Sequence, residues 1–189
     1  AATNGVTSAI SPGAGNTLPA SALLAAEADR GLPINVGTLV GAAAVLASKA
    51  TVAQKIRYFN GEMNEEEANT AISRDAVTNR MGSLTIGVKD HAGHYLLSDG
   101  HIDDMFELTS KANLFFMSHT QFPDHTERVV DLSRGRPIHL GHVTLAGSEL
   151  KSDPVDSIER VLELIKENEN VSGEFITSNL RPSRGNRDG

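Results

Sequence analysis

The sequence predicts an α/β fold on parallel strands: an incomplete (β/α)8 TIM barrel, with about six βα units in a single domain over residues 1–189. Three observations carry this. Short β-branched or apolar runs alternate with helix-periodic segments, and no two runs are joined by a hairpin turn, so the strands should be parallel and linked through helices. Three of the runs end on a basic or imidazole side chain: SLTIGVK on Lys89, LFFMSH on His119 and IHLGH on His142. In a parallel barrel the reacting groups gather at the C-terminal ends of several strands, which makes Lys89, His119 and His142 a candidate metal site. Finally, the G-x-G-x-x-G fingerprint of a dinucleotide-binding sheet is absent. At 189 residues the chain is shorter than the ~250 a full barrel usually takes.

Composition narrows the function classes. The chain is 39% hydrophobic and 22% charged, ordinary for a globular domain. Only 4% is aromatic, which suits close helix-on-sheet packing better than an aromatic-rich binding face. A net charge of −7 and a pI of about 5.5 argue against a nucleic-acid partner. With no cysteine there is neither disulfide nor thiolate chemistry, which fits a cytoplasmic protein. No apolar run approaches the ~20 residues that span a bilayer, so no membrane association is expected. The start, AATNGVTSAISPGAG, has no basic n-region and no long apolar stretch, and it lacks Met. The chain is therefore expected to be the inside of a longer protein.

Taken in order, residues 6–11 (VTSAIS) read as a first strand, broken by the turn at residues 12–16 (PGAGN). That loop lacks the Gly-Lys-Ser/Thr ending of a phosphate loop and reads as a strand-to-helix turn. Residues 19–30 have helical spacing, with Gly31 as the stop. Residues 32–41 (LPINVGTLVG) are apolar on both faces, as in a covered parallel strand. Residues 42–59 read as one helix and residues 63–80 as another. Asn64 is the N-cap of the second, and Glu65, Glu66 and Glu67 sit in its first turn, where the helix dipole favours them. Residues 83–88 form the third strand, ending at Lys89. Residues 90–101 (DHAGHYLLSDGH) form a loop whose His91, His94 and His101 are candidate substrate contacts; it has no complete zinc spacing. The next helix, 102–111, turns Met105, Phe106 and Leu108 inward. The fourth strand, 114–118, ends at His119, and the helix that follows stops at Gly135. The fifth strand, 138–141, ends at His142, and period-2 alternation makes His139 a packing residue. Residues 154–168 are the clearest amphipathic helix, with Val155, Ile158, Val161, Leu162 and Ile165 on one face. Residues 171–177 are the sixth strand. In the polar tail, 178–189, Arg181 is a further candidate contact for a substrate carboxylate.

These segments resemble the amidohydrolase superfamily of metal-dependent hydrolases, which includes dihydroorotase, hydantoinase, N-acyl-D-amino-acid deacylase and the catalytic subunit of urease. NGVTSAIS resembles the family's second barrel strand, LPINVGTLVG the third, GVK at residues 87–89 the fourth, MSHTQ the fifth, RPIHLGHVTLAGS the sixth and FITSNLRPSR the seventh. The resemblance implies that Lys89, carboxylated, bridges two divalent ions, zinc by default with manganese, iron or nickel as alternatives, and that His119 and His142 ligate one of them. It implies hydrolysis of a C–N bond in a cyclic or N-acyl amide by a metal-activated hydroxide, with a small-molecule amide as substrate and a homo-oligomer as the working form. Two family features are missing. None of the seven histidines stands at i, i+2, so there is no His-x-His, and the eighth-strand aspartate would fall beyond Gly189. Two other readings stand beside this one: a non-catalytic amidohydrolase-like barrel with a structural or assembly role, and a doubly wound ligand-binding protein that uses the 12–16 loop.

Overall fold

The computed structural model describes residues 7–11, 33–47, 49–64, 66–68, 85–91, 96–148 and 153–175, with Gly5 and Gly31. The strands are β1 (Ser8–Ser11), β2 (Asn35–Gly41), β3 (Thr85–Asp90), β4 (Phe115–His119), β5 (Ile138–Gly141) and β6 (Val171–Gly173). They form one sheet in the order β1-β2-β3-β4-β5-β6, and every neighbouring pair is parallel. The expected α/β alternation and parallel sheet are thus present. Each connection returns to the next strand along, and the right-handed crossover rule then puts the connecting helices on one face.

The helices are α1 (Ala42–Leu46), α2 (Val52–Phe59), α3 (Asp99–Lys111), α4 (Pro123–Ser133) and α5 (Pro154–Glu167), with a 3₁₀ turn at Val143–Ser148. The single helix expected over 42–59 is two. Thr51 starts a new one through a capping box: its side chain accepts from the Gln54 N–H, and the Gln54 side chain accepts from the Thr51 N–H. The same reciprocal pair joins Asn64 and Glu67, so the expected N-cap at Asn64 is present. α3 begins three residues before the expected position, because Ser98 caps it by accepting from the His101 N–H. α4 stops as expected: Arg134 turns left-handed (φ 49°) and Gly135 follows at φ 80°. The expected helix at 19–30, the 12–16 loop and the 178–189 tail lie outside the described residues.

The core lies between sheet and helices. Val40, Val88 and Phe116 are in register across β2, β3 and β4, as are Ile138 and Val171 across β5 and β6, and all five are buried. Each stabilises the fold by about 2 kcal/mol relative to exposure. Met105, Phe106 and Leu108 of α3 are fully buried, as expected, and the Phe106 ring meets Phe116 edge-on at 4.7 Å. α5 departs from expectation. Val161 is buried, and Ile158 and Ile165 are partly buried, but Val155 is 61% and Leu162 38% exposed. At about 100° per residue the inward arc runs through Ser157, Ile158, Val161, Leu164 and Ile165, with Val155 and Leu162 past its edge.

Candidate functional site

The opposite face of the sheet carries the candidate site. Gly41, Lys89, Met117, His139 and Ser172 form one continuous row across β2 to β6. One step nearer the C-terminal edge, His119 pairs with Gly141. Alternation along β3 therefore sends Lys89 to this face and its neighbour Asp90 to the helix face. Gly87, two residues before Lys89, is required where it stands, because a Cβ there would collide with the Phe115 carbonyl oxygen.

The expected residues Lys89, His119 and His142 converge here, and His91 joins them. The His119 ring lies 5.1 Å from that of His91 and 5.4 Å from that of His142. His142 sits just past the end of β5 with φ 62°, a left-handed conformation that costs a side-chain-bearing residue on the order of 1 kcal/mol. Its carbonyl is fastened by the Thr120 hydroxyl at 2.9 Å and by the Leu145 N–H at 2.7 Å. The cluster does not include His101, which is exposed on the first turn of α3. His94 and Arg181 lie outside the described residues.

Two residues of this face were not foreseen. Glu174, the residue after β6, places Oε1 2.9 Å from His142 Nδ1 and Oε2 3.9 Å from His139 Nε2. Nothing in the sequence marks it, because residues 171–177 read as one strand with Glu174 at its centre, whereas β6 ends at Gly173. His139 was expected only to pack. Its ring does lie against Phe115 at 5.4 Å, but its Nδ1 is 2.9 Å from the Ser172 hydroxyl and its other nitrogen faces Glu174. The alternation argument failed because His142 lies off the strand, so its side is not set by the β5 pleat. A cavity of about 240 Å³ opens beside these groups, lined by Ile10, Phe115, Met117, His139 and Glu174.

The electrostatics follow from burial. Lys89 is 2% exposed, and desolvation lowers its pKa against the opposing pull of Glu174 and Asp90, which favours the neutral amine. His142 is held below the ordinary histidine range, first by burial and then by Lys89, with Glu174 opposing. His139 is lowered by burial, also against Glu174. Neutral imidazoles and a carboxylate are donors that suit zinc, manganese, iron or nickel. Two imidazoles on one tetrahedral ion, each nitrogen about 2 Å from it, have ring centres roughly 5 Å apart; the two ring spacings here match that. In the side-chain positions seen, no three His, Asp or Glu groups among the described residues form a joint ligand set.

Behind the site a hydrogen-bonded chain runs through the helix layer. Asp90 is fully buried, and its Oδ2 accepts from Ser118 Oγ (3.0 Å) and His125 Nε2 (2.9 Å). Arg128 Nη2 donates to His125 Nδ1 at 3.0 Å and to the Leu97 carbonyl.

The fold and site define an α/β protein with a buried Lys and His cluster along the C-terminal edge of a parallel sheet. Comparison with protein-family models, with curated proteins and with solved structures gives no match. Among the described residues, no helix is long and apolar enough to cross a membrane.

Proposed function

We propose that this chain is the greater part of a (β/α)8 barrel of the amidohydrolase type, hydrolysing a C–N bond in a small cyclic or N-acyl amide. The observation that carries the reading is the gathering of Lys89, His119 and His142, from three successive parallel strands, at the one edge where barrel chemistry collects. Lys89, His119 and His142 would hold the divalent ions, zinc by default, and His91 stands within reach of the same group. Held there, such an ion would supply an activated hydroxide near neutral pH and would polarise the amide carbonyl. Lys89 contributes through its burial. Burial favours its deprotonated form, whose amine would add to the carbon of CO2, forming an N–C bond and releasing a proton; the resulting carbamate would be an anionic oxygen donor where an ammonium would repel a cation. Met117 and Phe115 give the substrate an apolar wall, and His139 and Glu174 a polar end.

The test is the metal content of the full chain, purified without chelator or immobilised nickel and supplied with zinc and bicarbonate. The expected result is about two divalent ions per chain, hydrolysis of at least one member of a panel of cyclic and N-acyl amides, and loss of both in His142→Ala. A chain that takes up no metal, or a His142→Ala variant with unchanged metal content and hydrolysis, overturns the reading in favour of a non-catalytic barrel.

A further inference from the structure

The reading above gives Glu174 only a place at the polar end of the cavity, yet the fold anchors it on both sides of His142. Its backbone is bonded on both sides of His142: the Glu174 N–H donates to the Leu140 carbonyl at 3.0 Å, and its carbonyl accepts from the Val143 N–H at 2.8 Å. β6 is thus zipped to β5 one residue beyond its own end, and that residue is the one whose carboxylate meets His142. The imidazole is equally fixed, since its left-handed backbone is pinned through the His142 carbonyl by Thr120 and Leu145. Two independently anchored groups meet at 2.9 Å, Glu174 Oε1 to His142 Nδ1.

We propose that Glu174 is a positioning residue: its carboxylate fixes His142 as the Nδ1–H tautomer and presents Nε2 as the coordinating atom of the site. A carboxylate offers only lone pairs, so the one proton in this contact belongs to Nδ1, and in the neutral ring Nε2 is then the acceptor. Carboxylate support of this kind fixes the orientation of a ligating histidine and raises its basicity. The inference rests on the proposed metal site for its purpose, but the tautomer it names exists without any metal. The Glu174 side chain is 46% exposed, so replacing it does not open the core.

The experiment uses the full chain with ¹⁵N-labelled histidine, stripped of metal, with the His142 resonances assigned by their loss in His142→Gln. Long-range ¹H–¹⁵N correlation is expected to show Nδ1–H at His142 in the wild type and in Glu174→Gln, whose amide oxygen still accepts, and a shift toward Nε2–H in Glu174→Ala. Zinc affinity, measured by competition with a chromophoric chelator, is expected to fall about 10- to 100-fold in Glu174→Ala and to recover in Glu174→Gln. An Nε2–H tautomer in the wild type, or a Glu174→Ala variant with unchanged tautomer and zinc affinity, overturns the inference. A wild type with the expected tautomer that refuses zinc overturns the hydrolase reading alone.

Discussion

Asp90 and Lys89 are neighbours in sequence and face opposite ways, so the strand end that presents the candidate ligand also buries a carboxylate. Because Arg128 donates to His125 Nδ1, that nitrogen is an acceptor, and the ring is the Nε2–H tautomer donating to Asp90. The second oxygen of Asp90 has no hydrogen-bond partner among the described residues, so the carboxylate depends on His125 and Ser118. Removing one partner of a buried polar pair leaves the other uncompensated, at about 3–5 kcal/mol. His125→Leu is therefore expected to cost roughly 3 kcal/mol, and Asp90→Leu/His125→Leu distinctly less, read as urea midpoints. A double variant as unstable as the sum of the singles would contradict this account. At this scale the sequence was legible where a residue stands at or beside a strand's C-terminal end, as Lys89, His119 and His142 do. It was silent on Asp90 with His125, which lie 35 positions apart and meet only through the docking of α4 on the sheet.

α5 separates what periodicity can and cannot tell. Its helical nature and the inward Val161 were readable. The width of the apolar stripe was not, because Val155 and Leu162 are apolar without being covered. Leu162→Lys should accordingly change stability by no more than about 0.5 kcal/mol. Val161→Ala, at a site with no exposure, should cost about 2 kcal/mol. Equal losses in the two variants would show that the stripe is as wide as the sequence suggested. The break between α1 and α2 was legible and overlooked: T-V-A-Q at residues 51–54 is a Thr-x-x-Gln capping box inside an otherwise helical stretch, and a satisfied cap ends one helix by starting another.

Across the whole molecule the sheet divides into two chemistries. The helix face is apolar except where Asp90 and Ser118 of the sheet meet His125 of α4. The other face carries Lys89, His139 and Glu174, with Ile10 and Phe115 half exposed. Parallel pairing followed from βα alternation; the strand order did not, because a doubly wound sheet alternates in the same way, and here each strand pairs with the next. The polar row followed less well, because a row is assembled from residues in five different strands. This face also sets the acid response of the metal-free protein. Burial lowers the pKa of both His139 and His142, and it outweighs the upward pull of Glu174. The unfolded chain takes up these protons as pH falls through about 6.5, while the folded protein takes them up only at lower pH. Between those two points the unfolded state binds more protons, so stability rises with pH there and is lost on acidification. The two rings should therefore make the urea midpoint of the stripped full chain fall as the pH drops below about 6.5, while the lowered pKa of Lys89 makes it rise from neutral toward alkaline pH. His139→Gln removes one of the two titrating rings, so its midpoint should fall less steeply over the same window. A wild-type midpoint that is flat across that window, or a His139→Gln slope equal to the wild type's, would mean that protons on this face do not govern the acid stability of the fold.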